Sequence, residues 1–168
     1  MDEVAFRPIG TVHTSATKDE IRSRVPGIQS VVEVFREFEP GLDGLDGFSH
    51  IFVLGYLNQL RPEQVGPLRV KPKAFVWMGL KVKELPMIGV FALDSPTRPN
   101  PIGLSLVPLL RREGNRLFVG GLDYFDGTPV LDIKPYGPNY RADDFRLPDW
   151  RRALMERVDQ ERGTTELE

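Results

Sequence analysis

In the stretch 130–136, reading VLDIKPY, the residues Asp132, Lys134 and Tyr136 fall on alternate positions, opposite Leu131 and Ile133. A strand sends successive side chains to opposite faces, so a carboxylate, an ammonium and a phenol would share one surface. That surface suits a site wall in which Asp132 accepts a proton while Lys134 or Tyr136 orients a substrate. It also suits the solvated outer face of a sheet, where such a pair contributes little. A second stretch, 89–103, reads GVFALDSPTRPNPIG and takes an apolar strand into a proline-locked polar loop and out again. Pro99 and Pro101 fix their own φ and push Arg98 and Asn100 out of the helical region, so the loop is stiff before any ligand arrives. Stiff backbone carbonyls, one guanidinium and one amide can recognise a small polar molecule at little ordering cost. The alternative is a rigid crossover between strands that binds nothing. In a third stretch, 119–128, VGGLDYFDGT places Gly120 and Gly121 inside a strand, the mark of a bulge or of a close approach. The carboxylate of Asp123 beside that gap suits an amine or hydroxyl. A barrel corner would need the same glycines.

Other chemistries find no support in the residues. The chain has no cysteine, which removes disulfides, thiolate metal sites and a cysteine nucleophile, and its two histidines, His13 and His50, lack metal-ligand spacing. No metal site is expected. There is no GxGxxG, P-loop or GxSxG pattern. The net charge of −2 and pI near 5.8 exclude a protein that coats nucleic acid with uniform positive charge, though not a local basic patch. Arginines 141, 146, 151, 152, 157 and 162 interleave with Tyr140, Phe145 and Trp150, a mixture suited to RNA contact or, with Glu156, Asp159 and Glu161, to a solvated amphipathic helix. No apolar run approaches the roughly 20 residues that span a bilayer, and no leader pattern opens the chain, so a cytoplasmic protein without membrane association is expected.

The elements that must position these groups are mostly strands. Sixteen glycines and fifteen prolines in 168 residues favour short elements separated by turns. Strands are expected at 4–12, 30–38, 50–57, 69–76, 88–93, 102–110, 116–124 and 130–136, with HIFVLGYL at 50–57 apolar enough for burial on both faces. The turns Glu113-Gly114-Asn115 and Asp126-Gly127 suggest an antiparallel meander. So many strands with little helix predict a mainly β fold, a closed or nearly closed antiparallel-rich barrel with short helices, which removes exposed edges. GLDGLDGF at 41–48 allows a short helical turn at most. One longer helix is expected after Pro148, where Trp150, Leu154 and Val158 recur every four residues, ending at Gly163 before a frayed tail. A barrel domain over 1–140 and a helical extension of it over 141–168 follow.

PIGTVHT (8–14), GLDGFSHIFVLGYL (44–57), GVFALDSPTRPNPIGLSLV (89–107) and LDYFDGTPVLDIKPY (122–136), taken in order, resemble the TsaA-like, or TrmO, family over roughly residues 5–137. RPNPIG followed by DGTPVLDIKPY is a highly specific combination. The resemblance implies a homodimeric methyltransferase that binds S-adenosylmethionine on a single β-barrel instead of a Rossmann fold and methylates N6 of threonylcarbamoyladenosine next to the tRNA anticodon. By that resemblance Pro26, Gly27 and Ile28, Asn58 and Gln59, Phe91, Arg98, Asn100 and Pro101, and Gly121, Leu122 and Asp123 contact the cofactor. Asp132, Lys134 and Tyr136 belong to the family's DIKPY motif beside the substrate pocket, with Asp132 the expected base. Two departures stand out. Family members commonly read FATRSP where this chain reads FALDSP, so Asp94 replaces an arginine, a charge reversal that could retune the site for another substrate. GPNYRADDF also follows DIKPY where a shorter form is usual. A same-fold methyltransferase acting on a small molecule and a non-catalytic cofactor sensor are the alternatives, and RNA contact must come from the barrel, a dimer partner or the arginine-rich tail.

Overall fold

The structure is a computed structural model that describes residues 4–24 and 26–165; the expectations for Val25 and for the tail 166–168 lie outside them. In chain order the regular elements are β1 (Gly10–His13), α1 (Lys18–Ser23), β2 (Gln29–Val34), β3 (His50–Tyr56), β4 (Arg69–Val70), β5 (Ile88–Gly89), β6 (Ile102–Glu113), β7 (Arg116–Gly120), β8 (Pro129–Pro135) and α2 (Asp149–Thr165), with short 3-10 turns between. Six strands close into a barrel in the order β1-β2-β7-β6-β3-β8, and β8 returns to pair with β1. Every neighbouring pair is antiparallel, which an even number of strands allows on closure, and closure leaves these strands no free edge. The mainly β barrel expected from the sequence is therefore present.

Its topology is not the expected meander. The β6–β7 hairpin turns at Gly114 and β1 pairs with β2, but the other closing pairs join strands distant in sequence. The excursion 57–101 brings β6 back antiparallel to β3. Prolines shorten several expected strands: β1 begins two residues after Pro8, and β4 stops before Pro72. Strand 30–38 ends at Val34 because Arg36–Leu42 coils into a 3-10 turn.

Alternation decides what enters the core. Val12, Val32, Ile51, Val53, Val107, Leu117, Val119 and Val130 point inward and are fully buried, whereas Phe52 and Leu54 lie half-buried on the outer wall of β3. The expectation that 50–57 is buried on both faces is thus corrected; its apolar outer face has its own neighbours, described below. A second core lies outside the barrel, where Phe75, Leu80 and Leu85 of the excursion meet Leu154 and Val158 of α2, with Trp150 against them. The four-residue spacing predicted that helix face. Gly163 does not end the helix, which continues to Thr165: one glycine costs a helix about 1 kcal/mol and does not by itself terminate it.

Candidate functional site

The ends of β1, β3 and β7 and the starts of β2, β6 and β8 lie at one end of the barrel, so the loops 14–28, 57–101 and 121–128 all emerge there. Every residue expected to contact a cofactor belongs to one of these loops. Hydrogen bonds tie the loops together: Gly121 N–H donates to Ile28 O at 2.8 Å and Gln59 Nε2 to the backbone oxygen of Asp126 at 2.6 Å, while Leu57 N–H donates to Pro101 O at 2.8 Å and closes the 57–101 loop at its base. Gly121 has φ +67°, the left-handed region that glycine enters without strain, so the chain turns out of β7 here instead of continuing as the expected strand to Tyr124. Asp123 accepts from the Ser105 hydroxyl and lies 3.9 Å from the Arg24 guanidinium. Leu122 is buried in the barrel core, so only its backbone faces the loop cluster. Pro26, Gly27 and Asn58 are exposed at this end.

The proline loop is as rigid as its sequence implies, and Arg98 contributes in a way its sequence does not reveal. Its Nη2 donates to Val90 O at 3.0 Å and to Leu93 O at 2.6 Å, clamping the loop across five to eight residues. Arg98 Nε is buried and has no hydrogen-bond partner among the described residues. The loop overhangs a groove of about 410 Å³ walled by Leu54, Phe91, Arg98, Pro99, Asn100, Ile102 and Leu104. Phe91 is 82% exposed at its rim. Asp94 is exposed and forms no ion pair among the described residues.

Register places Leu104 opposite Leu54 and Leu54 opposite Asp132, so a single row across β6, β3 and β8 runs from the groove to the DIKPY carboxylate, whose residue is one strand spacing, about 5 Å, from Leu54 and two, about 10 Å, from Leu104. Asp132 and Lys134 share the outward face that their own alternation predicted, although Val130 points inward, because a register shift skips Leu131 between Val130 and Asp132. Asp132 Oδ1 accepts the Ile133 N–H at 2.9 Å, and its Oδ2 lies 2.8 Å from Lys134 Nζ. The hydrogen bond that Lys134 donates to Asp132, reinforced by the carboxylate's charge, raises the pKa of Lys134 above the usual lysine value, so this ammonium stays charged. Tyr136 is brought elsewhere. Its N–H bonds His50 O at the far end of the barrel, about 20 Å along β8 from the loop cluster, and its ring meets Phe52 at 5.8 Å and stacks near Tyr140 at 6.3 Å. His50 sits beside it, bonded to Ser49 Oγ, in a packing role.

Sequence reasoning missed Leu54, Ile102 and Leu104 as groove walls, Ser105 as the partner of Asp123, and the glycine pair Gly55 and Gly103. Those two glycines face each other across β3 and β6 and leave a slot for the Tyr124 ring, whose carbons lie 2.6–2.7 Å from where either Cβ would be. Tyr124 is 3% exposed and donates to Val53 O at 2.8 Å; burial raises its phenol pKa well above the ordinary value. The ring pins the 121–128 loop to the barrel rim. Glycines in register on adjacent strands were the available signal.

Residues 15–142 match the family described as tRNA-methyltransferase O N-terminal domain. The chain is 38% identical over 141 residues to a probable S-adenosyl-L-methionine-binding protein of Pyrococcus abyssi, a match covering 82% of this chain and 70% of that one. It is 41% identical over 113 residues to a mouse tRNA (adenine(37)-N6)-methyltransferase, covering 64% of this chain but 23% of the mouse protein. The fold superposes on the crystal structure of TrmO from Pseudomonas aeruginosa with a TM-score of 0.64 and 30% identity, covering 86% of this chain and 62% of that one. The chain thus spans less than two thirds of that solved protein and about a quarter of the mouse enzyme.

Proposed function

The chain belongs to the tRNA-methyltransferase O N-terminal domain family, and on that premise we propose that it is an S-adenosylmethionine-dependent methyltransferase acting on tRNA at N6 of the adenosine next to the anticodon, in its threonylcarbamoylated form. The observation that carries the proposal is the convergence of the loops 14–28, 57–101 and 121–128 on one barrel end, where the 57–101 loop and the outer faces of β3 and β6 wall a preformed groove. The donor set fits the cofactor. Leu54, Phe91, Ile102 and Leu104 offer apolar walls to a nucleoside and a ring face near a sulfonium, Asp123 offers a carboxylate to an amine, and Asn100 and the backbone around Gly121 offer polar groups. Bound there, S-adenosylmethionine would supply an electrophilic methyl group.

The protein's own residues then have two tasks. The Arg98 clamp and the Tyr124 slot hold the loops in place before the substrates arrive, so that the reacting atoms meet in a near-attack arrangement without an ordering cost at each turnover. On the outer wall, Asp132 accepts the N6 proton as the new N–C bond forms, and the charged Lys134 orients the carbamoyl or threonyl group beside it. Tyr136, with Tyr140 and Phe52, forms an aromatic platform further along β8 for a neighbouring base.

Among the described residues no helix is long and apolar enough to cross a membrane. The reading includes a cytoplasmic location and a homodimer. Phe91, Leu104 and Leu106 are 82%, 66% and 46% exposed beside the groove, and a second copy covering them would bury apolar area otherwise left in water. Light scattering should then give twice the 19.0 kDa chain mass, and a monomer would remove the dimer from this account. The functional test is calorimetric titration of S-adenosylmethionine into the purified protein, followed by transfer of labelled methyl groups to tRNA. Absence of cofactor binding would end the proposal, while binding without transfer to any RNA would favour a sensor or a small-molecule enzyme, for which Asp94 is the motivating residue.

A further inference from the structure

We propose that the lysine-bearing face of the excursion between β3 and β6 docks the phosphate backbone of the RNA substrate, with Trp77 set against an unstacked base and α2 serving as the brace beneath. The inference rests on the tRNA reading above and assigns its contact surface to a part of the chain outside the groove.

Positive charge is unevenly distributed. Four of the six lysines, Lys71, Lys73, Lys81 and Lys83, fall within thirteen residues, Arg69 precedes them, and no aspartate or glutamate occurs between Glu63 and Glu84. The excursion folds those cations onto one small unit. Its neck is the β4–β5 pair, where Arg69 faces Gly89, and Lys71 Nζ donates to Val82 O at 2.8 Å, which ties the arm carrying Lys73 to the arm carrying Lys81 and Lys83. Lys73, Lys81 and Lys83 are exposed and have no hydrogen bond or ion pair from their ammonium groups among the described residues. Trp77, between the arms, is 56% exposed while Phe75, Leu80 and Leu85 are buried beneath it. An exposed indole among free ammonium groups matches what single-stranded nucleic acid presents, a phosphate at each step and a π-face on each base.

The arginine-rich tail does not compete for this role. Arg141 pairs with Asp143, Arg152 with Asp149, and Arg157 with Glu84. Along 149–162 four arginines stand against four acids, so α2 has no net charge to attract phosphate. What α2 does provide is Leu154 and Val158, which complete the core under the lysine arms, and Arg157, which neutralises Glu84, the acid nearest to Lys83. Position also favours the excursion: Gly89 at its neck lies two residues from Phe91, so RNA held there reaches the groove rim.

The test is anisotropy of labelled, unmodified full-length tRNA titrated with the protein at several salt concentrations, for the parent and for the triple variant K73Q/K81Q/K83Q. Losing three phosphate contacts should reduce the slope of log affinity against log salt by about 2–3, with helical content and S-adenosylmethionine affinity unchanged. W77A should weaken binding about 5- to 100-fold with the slope retained. An unchanged slope in the lysine triple overturns the proposal, as does a slope loss confined to R146Q/R151Q/R162Q, or a loss of anionic-vesicle binding with tRNA binding intact. The parent's own turnover separates the two layers. Transfer of methyl groups to tRNA with no slope change in the triple removes the docking surface alone, while tRNA binding and a slope change without any transfer remove the functional reading alone.

Discussion

Replacing Gly103 with alanine probes whether the Tyr124 slot holds the loop cluster. The new Cβ would lie 2.7 Å from Tyr124 Cε1 and Oη, where ordinary contact begins at 3.4 Å, so the ring must retreat by about 0.7 Å. It has nowhere to go. The ring's opposite edge already lies 2.6 Å from the Cβ position of Gly55, the side chain is 3% exposed, and its hydroxyl is held by Val53 O. Over-packing of this kind costs about 1–3 kcal/mol, and stretching the hydroxyl contact adds about 1 kcal/mol. At roughly 2–4 °C per kcal/mol for a chain of this length, the melting temperature should fall by about 5–15 °C in thermal unfolding followed by circular dichroism. Because Tyr124 anchors the turn that carries Gly121 and Asp123, calorimetry should also show cofactor affinity falling at least tenfold. Tyr124→Leu removes the offending atoms, so Gly103→Ala combined with Tyr124→Leu should be less destabilised than the sum of the two single changes by about 1 kcal/mol or more. Gly137→Ala, whose Cβ would meet nothing within 4 Å, is the control. A Gly103→Ala protein that melts with the parent and binds cofactor equally well would refute the slot as the anchor.

Asp132→Asn keeps the shape of the outer wall and its bond to Ile133 but cannot accept a proton, so S-adenosylmethionine affinity should persist while turnover falls about 10²- to 10⁴-fold; full activity would remove Asp132 from the mechanism. Arg98→Ala removes two charge-assisted bonds to the carbonyls of Val90 and Leu93, for an expected loss of about 2–4 kcal/mol of stability, read by chemical denaturation, together with faster amide exchange across 90–98. At the start of α1, the Thr17 hydroxyl and backbone hold the Glu20 carboxyl below its usual pKa of 4.5 in a capping box. A depressed carboxylate stabilises the fold above its unfolded pKa and loses that contribution as pH falls through the lower folded value, so the α1 amides should exchange faster below about pH 4.5 in the parent and show no such step in Glu20→Gln.

How much of this was legible beforehand differs from element to element. The alternation in 102–110 and 130–136 was enough to find β6 and β8 and to put Asp132 and Lys134 on one face, because a strand's period depends only on local geometry, while the register shift that turns that face away from the buried Val130 left no local signal. The order of the strands was not legible, since closing β2 on β7 or β8 on β1 depends on pairings between residues more than eighty positions apart, which no local period encodes. Pro99 and Pro101 announced a stiff loop, yet the Arg98 clamp depends on carbonyls in a segment with no repeat. Tyr136 shares a strand face with Asp132 in sequence as in structure, but the strand is long enough to carry it away from the groove. The tail's arginines looked free because Arg157 meets its acid, Glu84, seventy-three residues away. Spacing along the chain reveals a shared face; it does not reveal a partner brought in by the fold.

The most direct test of the central claim is mass spectrometry of nucleosides from threonylcarbamoylated tRNA lacking the methyl group, after incubation with the protein and S-adenosylmethionine. A gain of one methyl on that nucleoside is expected, present with the parent and absent with Asp132→Asn. No gain with the parent, in a sample where cofactor binding is measured directly, would contradict it.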